Sequence, residues 1–258
     1  MTDAGGPPVL SLAADGVATL TLARPRHLNR LHREDLLALQ RQFAALAADP
    51  SVRALVLTGS GRAFCAGFHI GEFEDEAAAS AHPRLFEQTV DALEALPLPT
   101  VARLNGSVYG GATDLALACD FRVGVHGMEL RMPAARLGLH YYPSGLQRYV
   151  SRLGLQAAKR LFLLAETVDA DTLQALGYLD ELCAPEALDA AVQRLMHALA
   201  ANAPLAVRGM KRSLNEVARG EVDEAVLRQR IEACAGSADL REGIAAFGQR
   251  REPRFSGR

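Results

Sequence analysis

Apolar and polar positions alternate on both sides of Asp15-Gly16: Val17, Thr19 and Thr21 interleave with Ala18, Leu20 and Leu22. Alternation around an Asp-Gly pair predicts two strands of a hairpin between Val9 and Leu22. The period then lengthens. Leu36, Leu39, Phe43 and Leu46 recur at helical spacing. The short run Ala54 to Leu57 lies between Arg53 and Gly59 and fits a strand buried on both faces, as in a parallel sheet. A helix is predicted over 84–96, stopped by Pro97 and Pro99, followed by a strand over 100–104. A second helix opens near Gly110 and ends near Cys119, and another strand follows over 121–125. Alternating strand and helix predict an α/β fold with right-handed crossovers. From Leu153 onward the pattern is helical alone, over 155–164, 187–201, 205–217 and 222–234. The expected division is an α/β body over 1–195 and a helical C-terminal region over 196–258, of the kind that packs on a neighbouring subunit. There is no internal repeat, and Ala77–Ala79 is the sole biased tract.

Composition narrows the classes. A chain of 258 residues, 49% apolar, suits one large domain. Trp is absent and aromatics are 5%, so the core must be built from Ala, Leu and Val. A formal net charge of -2 with mixed signs gives no support to a nucleic-acid or membrane-surface role. No apolar run approaches the roughly 20 residues of a membrane span. Met1 to Pro8 lacks the pattern of a signal peptide. Cys65, Cys119, Cys183 and Cys234 form no CxxC pair, which suggests reduced thiols in a cytoplasmic protein. The seven histidines, His82 among them, are scattered without HExxH, so no metal site is expected.

Two glycine turns hold the candidate chemistry. One is Gly61 to Ile70, with Ala66-Gly67-Phe68; the other is Asn105 to Leu115, with Gly110-Gly111. Each follows a predicted buried strand, and ligands collect at the carboxyl ends of strands in open α/β sheets. The second turn also opens a helix, whose unpaired N–H groups and dipole favour negative charge. A thioester oxygen becoming an enolate oxyanion is such a charge.

The combination resembles the enoyl-CoA hydratase/isomerase, or crotonase, superfamily over nearly the whole chain. The resemblance lies in Leu22-Ala23-Arg24-Pro25 with Asn29, in the Phe64-Cys65-Ala66-Gly67 turn, in Asn105-Gly106 with Gly110-Gly111, in Met132-Pro133 with Leu137-Gly138 and Gln147-Arg148, and in Ala203-Pro204-Leu205-Ala206. It implies a crotonase-like spiral of ββα turns, assembled as a homotrimer or dimer of trimers. It implies an acyl-CoA substrate whose coenzyme A is part of the substrate, with no permanently bound cofactor. The oxyanion hole would be the N–H groups of Phe68 and Gly111. The backbone around Ala66, His69 and Ile70 would line the adenine pocket. Arg24, Arg26 or Arg62 would meet the CoA phosphates, and Phe247 and Arg250 lie where a C-terminal helix of the family touches CoA.

The chain departs from the family pattern at the acid and base. Hydratases of the family carry two glutamates near the substrate's Cα and Cβ; here those positions are Asp114 and Ala134. Alanine transfers no proton, and Asp is shorter than Glu by about 1.5 Å. Asp114 has a structural alternative as a first-turn helix acid worth about 0.3–1 kcal/mol. Tyr142 stands where the family has Gly or a catalytic Asp, and His140 lies two residues before it as a further candidate for proton transfer. Asp114, assisted by His140 or Tyr142, is therefore the expected proton-transfer group, and weak hydration is expected. Competing readings are a thioester or C–C bond hydrolase and a CoA-binding homologue that has lost catalysis.

Overall fold

A computed structural model describes residues 5–73 and 84–258; Ala77–Ala79 and His82 lie outside the described residues. Strands β1 (Gly6–Leu12) and β2 (Val17–Ala23) pair antiparallel. Their connection spans residues 13–16, with Gly16 at φ 83°. Helix α1 (Arg33–Ala48) follows and buries Leu36, Leu39, Phe43 and Leu46, the stripe that the period of its sequence marks. Three ββα units come next. Strand β3 (Ala54–Gly59), strand β4 (Ala63–Cys65) and helix α2 (Leu85–Glu94) form the first. Strand β5 (Thr100–Leu104), strand β6 (Ser107–Tyr109) and helix α3 (Ala112–Ala118) form the second. Strand β7 (Phe121–Val125), strand β8 (Glu129–Arg131) and helix α4 (Pro143–Leu153) form the third.

Each unit sends its first strand to one sheet and its second to another. With strands β9 (Thr167–Asp169) and β10 (Glu181–Cys183), the sheet orders are β1-β2-β3-β5-β7-β10 and β4-β6-β8-β9. β2, β3, β5, β7 and β10 run parallel. All six residues of β3 are buried, as expected of a strand covered on both faces. This is the ββα spiral of the crotonase fold. Helix α3 sits between the layers with all seven residues buried; its Ala and Leu side chains let the backbone pack closely in a core with few aromatics.

The all-helical expectation beyond Leu153 needs correction. β9 and β10 lie there, each only three residues long, too short to show a period. The stretch 155–164 is helix α5 (Leu155–Lys159) followed by a π-helical turn over Arg160–Leu164, ended by Ala165 at φ 48°. Helices α6 (Ala170–Ala175), α7 (Leu188–Ala200), α8 (Pro204–Arg219), α9 (Glu224–Ala235) and α10 (Ala238–Gln249) complete the chain. Residue 195 falls inside α7, which buries Leu188, Ala191, Val192 and Met196 in the core. From Pro204 onward, helices α8 and α9 bury none of their residues within this chain. Among the described residues no helix is long and apolar enough to cross a membrane.

Candidate active site

The first glycine turn is fixed by a knot of polar contacts around Asn29, which is buried. Its amide nitrogen donates to the carbonyls of Ser60 (2.8 Å) and Ala63 (2.9 Å), and its oxygen accepts from the Arg24 N–H at 3.0 Å. Beyond β4 the chain bridges Leu31. The Leu31 N–H donates to Gly67 O and the His69 N–H donates to Leu31 O, both at 2.8 Å. Successive peptide groups of an extended chain alternate sides. The Phe68 amide therefore faces away from Leu31, and Phe68 shares a cavity wall with the second glycine turn.

That turn is built to approach. Gly110, at φ 57°, donates its N–H to Arg131 O at 2.9 Å and lies two residues before α3. Gly67, at φ 87°, lies so close that a Cβ on it would stand 2.7 Å from Tyr109 O and 3.1 Å from the Gly111 nitrogen. Only glycine fits both the dihedral and the gap. Gly111 is the residue before α3, where helix N–H groups lack partners within the helix.

Both turns open on one cavity of about 530 Å³, with Phe68, Gly111, Ala134, His140 and Tyr142 on its wall. Ala66 and Ile70 lie on it as well. The sequence-marked Asp114 does not. It is 0% exposed and stands behind Tyr142, whose hydroxyl donates to its carboxylate. Arg148 Nη1 donates to both Asp114 oxygens, at 2.8 and 2.7 Å. Arg148 Nη2 reaches Asp91 at 2.8 Å and Glu94 at 3.2 Å. Glu94 also takes Arg152 (2.9 Å) and Arg219 of α8. Asp114 is thus one anion of a buried network, and a helix-dipole account of its charge misses its main partner. Burial pushes its carboxyl up, while Arg148 and the Tyr142 hydroxyl pull it down; the net direction is upward. Burial and the adjacent Asp114 push Tyr142 far up, so its hydroxyl stays protonated across the neutral range as a donor.

Tyr142 is held by more than Asp114. Tyr141 stacks on it at 4.3 Å between ring centroids, and the two hydroxyls lie 3.3 Å apart. The His140 Nδ1 contacts Tyr141 O at 2.8 Å. Changing Tyr142 to Phe should remove the hydroxyl donor from buried Asp114 and lower stability by about 1–3 kcal/mol. Urea unfolding of the two proteins checks this; a change below about 0.5 kcal/mol would mean that Asp114 does not depend on Tyr142.

The expected CoA contacts fare unevenly. Arg24 is committed elsewhere, a correction with a plain cause: its Nε and Nη2 donate to buried Asp35 at 2.9 and 3.1 Å, and Nη2 also meets Glu34. It anchors the turn to α1 instead of facing the cavity. Arg26 and Arg62 are likewise off the cavity wall. His69 packs edge-on to His32, with ring centroids 4.8 Å apart. Phe247 is 88% exposed near the end of α10, on a separate apolar groove of about 420 Å³, and Arg250 follows that helix at φ 53°. This chain does not bring either to the cavity.

Arg33, Arg84, Phe86 and Glu87 are on the wall, and none stands out in the sequence. The last three start α2, and no local pattern reveals that this helix end meets a turn 24 residues further on.

Comparison with known proteins agrees with the geometry. The enoyl-CoA hydratase/isomerase family model matches residues 13–258. The crotonyl-CoA hydratase of Syntrophomonas wolfei is 31% identical over 247 residues, covering 93% of this chain and 94% of that protein. The 2,3-dehydroadipyl-CoA hydratase of Escherichia coli is 30% identical over 245 residues, covering 94% and 96%. The crystal structure of enoyl-CoA hydratase from Bacillus anthracis superposes with a TM-score of 0.90 at 27% identity, covering 98% of this chain and all of that one. With its ββα spiral and paired glycine turns, the chain belongs to the enoyl-CoA hydratase/isomerase family of acyl-CoA-handling enzymes.

Proposed function

We propose that this enzyme of the lyase or isomerase kind binds an acyl-CoA with its thioester oxygen on the Phe68 and Gly111 N–H groups, stabilising the enolate, and that it shifts a proton on the acyl chain more readily than it adds water. The observation that carries this reading is the approach of Gly67 to Gly111 at the mouth of one cavity. Two preorganised N–H donors stabilise an oxyanion by several kcal/mol. The acyl chain would run past Ala134 and Tyr142, and the nucleotide end of CoA past Ala66 and Ile70. Hydration by two carboxyls is disfavoured because position 134 presents a methyl group and Asp114 is buried off the cavity wall, behind Tyr142. Tyr142 serves as hydrogen-bond donor with Asp114 as its positioning partner, and His140 borders the acyl end. Coenzyme A enters and leaves with the substrate, without a resident cofactor.

We further propose a cytoplasmic homotrimer or dimer of trimers, assembled through the helical region of 196–258. Its support is the exposed row Met210, Leu214 and Val217 on α8, with Ile231 and Ile244 beyond.

Calorimetric titration with acetoacetyl-CoA should show saturable binding, and absence of binding at millimolar ligand would refute the reading. Crotonyl-CoA hydration should run about 100-fold or more below that of a two-glutamate hydratase. Ala134→Glu, alone or with Asp114→Glu, should raise it. Wild-type hydration equal to a two-glutamate enzyme would overturn the preference for proton shift.

A further inference from the structure

Helix α2 turns its first residues to the cavity, with Leu85, Phe86 and Glu87 all on the wall. The Phe86 ring covers Gly111, so that a Cβ built there would fall 2.5 Å from its Cζ. Glu87 follows directly and is 7% exposed. Among the described residues it is the only carboxylate on the wall. Arg84 holds it, with Nε at 2.6 Å from one oxygen and Nη2 at 2.9 Å from the other. Hydrogen bonding from Arg84 holds the Glu87 carboxyl below its ordinary range, so it is ionised at neutral pH and able to accept a proton. Arg84 is 66% exposed while the Glu87 side chain is 9% exposed. A helix-start acid or an i,i+3 ion pair is worth only a few tenths of a kcal/mol and forms as well at the surface. Neither role explains a carboxylate buried against an apolar cavity, where ionised groups are costly.

We propose that Glu87 is the catalytic base that moves the proton on the acyl group, an assignment that rests on the acyl-CoA reading of the cavity. With a 3-enoyl thioester, the Glu87 carboxylate takes the proton from Cα. The C–H electron pair forms the enolate double bond, and the carbonyl pair moves to the oxygen held by Phe68 and Gly111. Glu87, whose proton exchanges with solvent while it is held, then protonates Cγ with the Cβ=Cγ pair; the enolate pair becomes the Cα=Cβ bond and the oxygen pair re-forms the carbonyl. Atoms and charge balance, and no co-reactant enters. Tyr142 remains a donor throughout.

The test is 3-hexenoyl-CoA in D₂O, with deuterium uptake followed by mass spectrometry and the double-bond shift followed by NMR. The wild type should exchange and isomerise. Glu87→Gln should lose about 10²–10⁴-fold in both rates, with unchanged affinity for the thioester. Glu87→Asp keeps the charge but withdraws the carboxylate by about 1.5 Å; it should lose about 100-fold at an unchanged melting temperature, and it decides the matter if the Gln variant fails to fold. Equal rates in a folded variant and the wild type, or a wild type that binds the thioester without moving its protons, would overturn the assignment of Glu87. Failure of the wild type to bind would instead refute the acyl-CoA reading itself.

Discussion

Arg148→Met should lower unfolding stability by about 3–5 kcal/mol, the cost of leaving buried anions without their cation. Arg148 is 1% exposed and meets Asp114, Asp91 and Glu94. Glu94 keeps Arg152 and Arg219, but among the described residues Asp114 keeps no charged partner within hydrogen-bonding distance. The pH dependence separates this mechanism from lost packing. In the wild type, burial alone would raise Glu94, but Arg148, Arg152 and Arg219 outweigh it and hold the carboxyl below its ordinary 4.5. Its contribution is present above 4.5 and is lost as pH falls through the lowered folded value. Asp114 behaves oppositely. Its folded pKa is already raised by burial, and without Arg148 it rises further. A raised value favours the protonated form, so its contribution is greatest below the unfolded pKa and is lost as pH climbs through the folded one. The deficit of Arg148→Met relative to wild type should therefore shrink as pH drops from 7 toward 5. Urea unfolding at both values measures it; a deficit that is small, or that stays constant with pH, would reassign the network to simple packing.

Gly67→Ala should cut turnover by about 10²–10³-fold, the usual consequence of losing one oxyanion donor. The added methyl would stand 2.7 Å from Tyr109 O and 3.1 Å from the Gly111 nitrogen, at φ 87°. Backbone must move, and the two glycine turns separate. The strain of a non-glycine residue at such a dihedral costs about 1–2 kcal/mol by itself, so a control is needed. Gly177 has φ 75° with no heavy atom within 4 Å of its would-be Cβ, and it lies off the cavity wall. Gly177→Ala should show the stability loss with normal turnover on 3-hexenoyl-CoA. Normal turnover in Gly67→Ala as well would remove the oxyanion hole from this place.

Much of this was legible in the residues alone. The stripe Leu36, Leu39, Phe43 and Leu46 identifies α1, and the apolar runs identify β3, β5 and β7, because burial of a regular element stamps its own period on the chain. The three-residue strands β9 and β10 left no such mark. A partner strand, and no local propensity, makes them strands.

The site divides the same way. Gly67 and Gly110-Gly111 were visible because a close approach of backbone to backbone demands the absence of a side chain, which is a local requirement. Asp114 was visible by position but not by environment. Its pairing with Arg148 spans 34 residues, and that pairing turns an apparent free carboxylate into a buried counter-ion. Glu87 and Phe86 were unmarked because their relevance comes from the packing of α2 over the second glycine turn. The sequence by itself determined the alternation of strand and helix, the core helices and the two glycine turns, since periodicity and backbone fit are written residue by residue; the spiral was implied by the resemblance to a family. Only the tertiary structure decided which carboxylate faces the cavity and which lies buried behind a tyrosine, because charge, burial and proton affinity depend on neighbours that the chain brings together from afar.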